Sequence, residues 1–194
     1  MVNKSGKSIL RKQILERRKT NASDADLSFL SSIKSVAEYA AARFVGVYVA
    51  HGVEPQTQDI INDCFENGKR VAIPAWDRNI SGYSFCEIKI DSLLKPAKMG
   101  IPEPVEKKRI PTSELDLILT PGLVFDLNGT RIGYGLGYYD RMLADRRTDA
   151  CLVGMTFEWQ IFQKPLPRDY HDVPMHMLAT PSRVVVTKQE APSS

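Results

Sequence analysis

Residues 44–73, FVGVYVAHGVEPQTQDIINDCFENGKRVAI, decide the fold class. The first six residues form an apolar run of β-branched and aromatic side chains, the pattern of a buried strand. The period then changes. Thr57 can cap a helix carrying Ile60, Ile61, Cys64 and Phe65, and Gly68 follows at the position where a left-handed turn ends helices. Residues 70–73 read as a second strand, which Pro74 is expected to stop. Strand, helix and strand in this order imply a parallel pair joined by a crossover.

Toward the N-terminus, residues 8–19 read as a helix with Leu10 and Ile14 one turn apart. Residues 21–26 break it. Ser23 and Asp26 then form an S-x-x-D capping box for a second helix, with Leu30, Ile33, Ala37 and Ala41 as its expected buried stripe. Toward the C-terminus, residues 83–90 read as a strand and 96–104 as an irregular loop holding three prolines. Residues 115–119 make a third buried strand, stopped by Pro121-Gly122. Residues 138–146 read as a helix, and 151–155 and 183–186 as late strands. The alternation predicts one α/β domain over residues 1–187, a mostly parallel sheet with helices on both faces, followed by a polar tail at 188–194.

The chain has 194 residues, of which 43% are hydrophobic and 25% charged, an ordinary globular composition. A formal net charge of +3 is too small to imply a nucleic-acid partner. No apolar run approaches bilayer-spanning length, so no membrane association is expected. Cys64, Cys86 and Cys151 are widely spaced and form no CxxC pair, which offers neither a zinc site nor a redox dithiol. Such usage fits a reducing compartment, and the expected location is the cytoplasm.

The densest chemistry lies in Arg131-Ile132-Gly133-Tyr134-Gly135-Leu136-Gly137-Tyr138-Tyr139-Asp140-Arg141. Glycines at every second position allow positive φ and close approach of backbone N–H groups to a ligand. A helix start follows, so the segment can cradle phosphate, with Arg131 adding charge and Asp140 a carboxylate for Mg²⁺. It is neither a Walker loop nor a Rossmann fingerprint, and a glycine-rich bend packed under aromatic rings is the bland alternative. Lys7, Arg11 and Arg18 share one helix face, which by spacing alone reads as a solvated charged face. Glu54 lies in the loop after the first strand, where open α/β sheets place ligands, although an ordinary exposed loop acid fits its position better. Asp172 offers a second carboxylate for a metal, and His176 reads as structural. Trp76, Trp159, Phe157 and Tyr134 could line a pocket for a flat ring, though each is commonly core.

Residues 117–126 (LILTPGLVFD), then Gly129, then residues 131–141, closely resemble the signature of the 5-formyltetrahydrofolate cyclo-ligase family. The resemblance extends to the basic N-terminal helix, Glu54-Pro55-Gln56-Thr57, Gly100-Ile101-Pro102-Glu103-Pro104, Leu166-Pro167 and His171-Asp172. It implies a three-layer α/β/α sheet related to ribose-phosphate isomerases and CoA transferases. It also implies ATP- and Mg²⁺-dependent closure of 5-formyltetrahydrofolate to 5,10-methenyltetrahydrofolate, with release of ADP and phosphate; a monomer is expected. The formyl oxygen would attack the γ-phosphate, N10 would close on the activated carbon, and phosphate would leave.

By the same resemblance, Lys7, Ser8, Ile9, Leu10 and Arg11 would meet ATP, as would Arg131, Ile132, Gly133, Tyr134, Gly135, Leu136, Gly137, Tyr138 and Tyr139. Val49, Glu54, Trp76, Met99, Tyr134 and Tyr138 would meet folate, and Asp140 and Asp172 would hold Mg²⁺. Met99 stands where some members carry Trp, and Tyr134 where members vary. The readings left beside this one are a different phosphate-ligand enzyme on the same fold, a sugar-phosphate isomerase or CoA transferase, and a non-enzymatic nucleotide-binding module.

Overall fold

The computed structural model describes residues 4–21, 24 and 27–189, residues 4 and 5 by their backbone alone. Its strands are, in chain order, β1 (Phe44–Gly46), β2 (Arg70–Asp77), β3 (Gly82–Ile88), β4 (Leu94–Pro96), β5 (Pro102–Pro104), β6 (Lys108–Arg109), β7 (Leu117–Pro121), β8 (Val124–Asp126), β9 (Arg131–Ile132), β10 (Cys151–Met155), β11 (Ile161–Phe162), β12 (Met177–Ala179) and β13 (Val184–Val186). Its helices are α1 (Lys4–Thr20), α2 (Leu30–Lys34), α3 (Ala37–Ala41), α4 (Gln58–Glu66) and α5 (Tyr138–Ala144).

Among the described residues, eight strands form one sheet in the order β13-β12-β10-β7-β1-β2-β3-β6. β2, β1, β7, β10 and β12 run parallel; β13 pairs antiparallel with β12 at one edge, and at the other β3 pairs antiparallel with β2 and β6 antiparallel with β3. Side chains alternate across the strands, so odd and even positions enter different cores. Val45, Val71, Ile73, Leu117, Leu119, Val153 and Met155 pack under Phe29, Ile33, Tyr39, Ile60, Ile61 and Cys64 from the α2–α4 side. Phe44, Ala72, Ile118 and Leu152 face Met142 and Leu143 of α5 with Phe125 and Met175. The three expected layers are therefore present. The Phe125 ring approaches the sheet so closely that a Cβ on Gly154 would lie 2.5 Å from it, which is why a central strand tolerates glycine there.

α1 packs Ile14, with Leu10 and Leu15 beside it, on Val124 and Ile132 of the small sheet β11-β8-β9 and on Leu123 and Leu166 next to it. This turns its basic face toward the glycine segment. The chain leaves β1 through α4 to β2 on one side, then returns to β7 on the other side of β1. Such a reversal opens a crevice at the carboxyl ends of the strands it separates.

Several expectations are corrected. The second helix is two five-residue helices, and Ala37 and Ala41 are exposed; Phe29, Ile33, Val36, Tyr39 and Ala42 supply the buried side. Pro74 does not stop β2, because it lies past the last β1 register pair, Gly46 with Ala72, so its missing N–H removes no bond from that ladder. The three prolines of 96–104 frame an antiparallel hairpin, β4 with β5, rather than an irregular loop. The helix expected to run to Arg146 ends at Ala144. Thr57 occupies the N-cap position of α4, yet its hydroxyl donates to Tyr48 O at 2.6 Å instead of accepting from the helix. At the other end, Lys69 N bonds Cys64 O and Gly68 N bonds Phe65 O, a Schellman closure with Gly68 at φ +69°. The capping pair Ser23 and Asp26 and the tail from residue 190 onward lie outside the described residues.

Candidate active site

A cavity of about 700 Å³ opens at the crevice between β1 and β7. Its lining includes Lys7 and Arg11 from α1, Tyr48, Val49, His51 and Glu54 from the loop after β1, and Pro121 and Gly122 at the end of β7. Arg131, Ile132, Gly133, Tyr134, Gly135, Leu136, Gly137, Tyr138, Tyr139 and Asp140 contribute a second wall, and Met99 and Ile101 a third. Asp169, His171 and Asp172 complete it. The expected site residues Ser8, Ile9 and Leu10 do not line it: Ser8 and Ile9 are exposed, and Leu10 packs on the core under α1. Trp76 lies behind the wall, its ring 5.6 Å from Tyr138 and 5.4 Å from Tyr83 in edge-to-face contacts. Phe157 and Trp159 stack on each other at 6.3 Å and, like Trp76, lie outside the cavity lining.

The glycine segment is held open by its backbone. Gly135 has φ +97° and Gly137 φ +64°, conformations that side chains resist. A Cβ on Gly135 would stand 3.0 Å from Arg11 Cζ, so the absent side chain is the space the guanidinium occupies. Arg11 Nε also donates to Gly133 O at 2.9 Å, tying α1 to the segment. α5 has only seven residues, so its dipole is small and the loop N–H groups with the neighbouring cations carry the anion-binding capacity. Arg131 has 5% of its side chain exposed and donates from Nη2 to Asp140 Oδ1 at 2.9 Å.

The basic face of α1 is not solvated. Lys7 Nζ lies 2.7 Å from Asp169 Oδ2 and 2.6 Å from Asp172 Oδ2, with 11% of its side chain exposed. Burial alone would lower the Lys7 pKa, but the two carboxylates outweigh it and hold the ammonium above the ordinary lysine range. Arg18 is 2% exposed; it donates from Nη1 to Tyr134 Oη at 3.3 Å and from Nη2 to Gly122 O. It makes no carboxylate ion pair among the described residues.

Glu54 is 9% exposed, so the ordinary exposed acid that its position favoured is not what folds. His51 N donates to Glu54 Oε2 at 3.1 Å. Burial pushes the Glu54 carboxyl up, against the opposing pull of that hydrogen bond and the Arg18 and His51 charges. The cavity thus brings the Glu54 carboxyl together with Arg11 and with Lys7 and Arg131, which are paired with Asp169, Asp172 and Asp140, a set of groups suited to a ligand that bears both hydrogen-bond donors and phosphates.

The carboxylates divide into two groups. The ligand atoms of Asp169, His171 and Asp172 lie within 4.8 Å of one another. Asp140 is not in that group: its Oδ1 accepts from Arg131 and from Val173 N at 3.3 Å, which leaves Oδ2 without a partner among the described residues. Hard carboxylate oxygens on both walls fit a magnesium-class cation, which needs oxygen ligands and keeps several waters. Asp169 was not singled out from sequence, although it stands one turn before Asp172, with Asp172 N bonded to Asp169 O. Tyr48 and His51 carry no local motif and come to the site through topology alone, whereas Ile101 belongs to the Gly100–Pro104 segment of the resemblance but was not singled out for the site.

Residues 3–181 match the 5-formyltetrahydrofolate cyclo-ligase family. The 5-formyltetrahydrofolate cyclo-ligase of Escherichia coli (strain K12) is 33% identical over 147 residues, 74% of this chain and 80% of its own length. The Mus musculus 5-formyltetrahydrofolate cyclo-ligase is 28% identical over 184 residues, 87% of this chain and 90% of its own. The NMR structure of Aquifex aeolicus 5,10-methenyltetrahydrofolate synthetase superposes with a TM-score of 0.79 at 29% identity, covering 97% of this chain and 96% of that one. The chain belongs to the 5-formyltetrahydrofolate cyclo-ligase family.

Proposed function

We propose that this member of the 5-formyltetrahydrofolate cyclo-ligase family converts 5-formyltetrahydrofolate to 5,10-methenyltetrahydrofolate, with cleavage of one ATP to ADP and phosphate, the formyl oxygen leaving in that phosphate. The observation that carries this reading is one cavity lined both by Glu54 and by Lys7, Arg11, Arg131 and the glycine segment. Glu54 accepts the paired N–H groups of the pterin, a bidentate match for a carboxylate. Val49 and Met99 form apolar walls, and Tyr134 and Tyr138 flank the folate. Trp76, one ring behind, fixes Tyr138 rather than touching the substrate.

The triphosphate lies along the glycine segment. There the N–H groups of residues 133–137 and the cations Lys7, Arg11 and Arg131 neutralise its oxygens and set the γ-phosphate in line with the formyl oxygen. Phosphoryl transfer asks chiefly for such positioning and charge compensation. The formyl oxygen takes the γ-phosphoryl group, and the P–O bond to ADP breaks. N10 then bonds the activated carbon, loses its proton, and the carbon–oxygen bond breaks to release phosphate. Asp172 with Asp169, and Asp140 across from them, are the residues that would hold Mg²⁺. When bound there, the cation would offset charge on the β- and γ-phosphate oxygens.

A single domain over residues 1–187, acting as a cytoplasmic monomer, completes the reading. Cys64, Cys86 and Cys151 are free and buried, which suits a reducing compartment. Among the described residues no helix is long and apolar enough to cross a membrane. The test is the rise of the methenyl-folate absorbance band on mixing protein, 5-formyltetrahydrofolate, ATP and Mg²⁺. The band should need both ATP and a divalent cation. Turnover without nucleotide, or none with everything present, overturns the reading.

A further inference from the structure

Lys7 cannot serve a phosphate while it stays where it is, and its two carboxylates cannot fully serve a metal. Its Nζ lies 2.7 Å from Asp169 Oδ2 and 2.6 Å from Asp172 Oδ2. Asp172 Oδ2 also accepts from Asp169 N at 2.8 Å. Two of the three N–H donors of the ammonium are thus engaged on the acidic group. The ammonium is a monovalent stand-in at the place where a cation would be held: it leaves the two carboxylates with one net negative charge instead of two. A divalent cation arriving alone therefore meets half the charge and a seated competitor.

The other two cations of the cavity are placed differently. Arg131 bonds Asp140 through Oδ1 and leaves the other carboxylate oxygen clear, so it keeps its partner when Asp140 takes up a cation. Arg11 is tied to Gly133 O at 2.9 Å, a carbonyl of the glycine segment itself. Lys7 is the cation whose own partners a metal would claim. It stands one helical turn before Arg11, which places the two side chains about 5–6 Å apart at Cβ. Both line the same cavity. A flexible four-carbon stem with three rotatable donors can therefore swing from the carboxylates to the glycine segment that Arg11 already touches.

We infer that Lys7 exchanges partners: its ammonium holds Asp169 and Asp172 until nucleotide and divalent cation enter together, and then turns to the phosphate oxygens and leaves the carboxylates to the cation. The inference rests on the ATP reading of the cavity. Each half of the exchange is unfavourable alone. A cation without nucleotide would displace the ammonium from two anions with no new anion for it to meet. A nucleotide without the cation would draw the ammonium away and leave two part-buried carboxylates uncompensated beside the phosphates. Together the charges balance, so Lys7 couples the two ligands and keeps the acidic group from loading with metal in the absence of nucleotide.

The experiment titrates Mn²⁺ alone, a carboxylate-binding ion with its own paramagnetic resonance signal, into protein without nucleotide. A second titration follows the Mg²⁺ complex of a non-hydrolysable ATP analogue by calorimetry. Lys7→Met should bind Mn²⁺ roughly 10- to 100-fold more tightly than the wild type and the analogue complex more weakly by a similar factor, the range for one hydrogen bond to a charged group. Lys7→Gln removes the charge but keeps a donor that fastens α1 to the acidic turn, so it should move both affinities the same way even where the Met variant does not fold. Lys7→Arg keeps a cation on the carboxylates and should bind Mn²⁺ no better than the wild type. A lysine with a structural role alone predicts the reverse, since its loss loosens the turn and weakens Mn²⁺. Unchanged or weaker Mn²⁺ binding in the neutral variants overturns the exchange, as does tighter Mn²⁺ binding with the analogue affinity left at the wild-type level. A wild type that does not bind the analogue complex at all would instead sink the ATP reading, and the exchange with it, so the two failures are distinct.

Discussion

Lys7 and Asp172 stand 165 positions apart in sequence, and Lys7 Nζ lies 2.6 Å from Asp172 Oδ2. This contact closes one side of the cavity, because it fastens the first helix to the turn that carries the acidic group. The same ammonium bonds Asp169, so one cation compensates two carboxylates. Lys7→Met should weaken ATP binding roughly 10- to 100-fold, the range for losing a hydrogen bond to a charged group. Isothermal titration with ATP checks it, and folate affinity should change much less. The sign of the pH effect follows from the raised Lys7 pKa. Its contribution to stability is fully present below the ordinary lysine value and is lost as pH rises through the elevated one, so the melting difference between variant and wild type should be constant from pH 6 to 9.

Arg18 yields a different outcome, since it compensates no carboxylate directly. Arg18→Met leaves the buried Gly122 carbonyl without its donor and removes the partner of the exposed Tyr134 hydroxyl, which should cost roughly 1–3 kcal/mol in urea unfolding, nearly all of it from Gly122. It also removes the positive charge that opposes the upward shift of Glu54. The folate KM should then rise more at pH 6 than at pH 8. Arg18→Lys restores the charge but cannot bridge both acceptors, so it should recover the pH profile better than the stability.

Glu54 is the acid whose burial raises its pKa, so it takes up a proton above the usual carboxylate range as pH falls. Folate affinity should therefore decline on the acid side earlier than an exposed carboxylate would allow. Glu54→Gln should lower folate affinity by about 10- to 100-fold, leave ATP affinity near wild type, and abolish that acid limb. The variant should unfold at an equal or higher temperature, because ionised Glu54 costs stability above its unfolded pKa. Titrations showing equal losses for both ligands would count against the pterin role.

The strand–helix–strand unit was legible in residues 44–73 because buried parallel strands and an amphipathic helix leave clear periods. The short strands β8, β9, β11 and β12 were not, since two or three residues establish no period. Pro74 misled because its effect depends on which neighbour its N–H would have met, a fact of register. The glycine segment read as a phosphate cradle from its spacing, and Gly135 and Gly137 do adopt the positive φ that reading needs. Lys7, Arg11 and Arg18 were seen as one face, but spacing cannot say whether a face meets water or a cavity wall. Trp76 stands close to the site yet behind Tyr138, a one-layer distinction that only packing makes.

The glycine segment and its neighbouring acid can be separated by two substitutions. Gly135→Val places a β-branched side chain at φ +97° and against the Arg11 guanidinium, 3.0 Å from where its Cβ would stand. The loop must then shift, and with it the Arg11–Gly133 bond that ties α1 to the site. ATP binding should fail by about 100-fold or more at any Mg²⁺ concentration, the cost of losing several oriented donors together. Asp140→Asn keeps the shape and retains an oxygen for Arg131 and Val173 N, but removes one negative charge from the cavity wall. Its turnover should fall while ATP still binds, and raising Mg²⁺ should recover part of the loss. A metal titration at saturating ATP distinguishes them: the Asn variant should move its midpoint to higher Mg²⁺, and the Val variant should stay inactive throughout. Identical curves for both variants and wild type would make the segment a structural bend and no phosphate cradle.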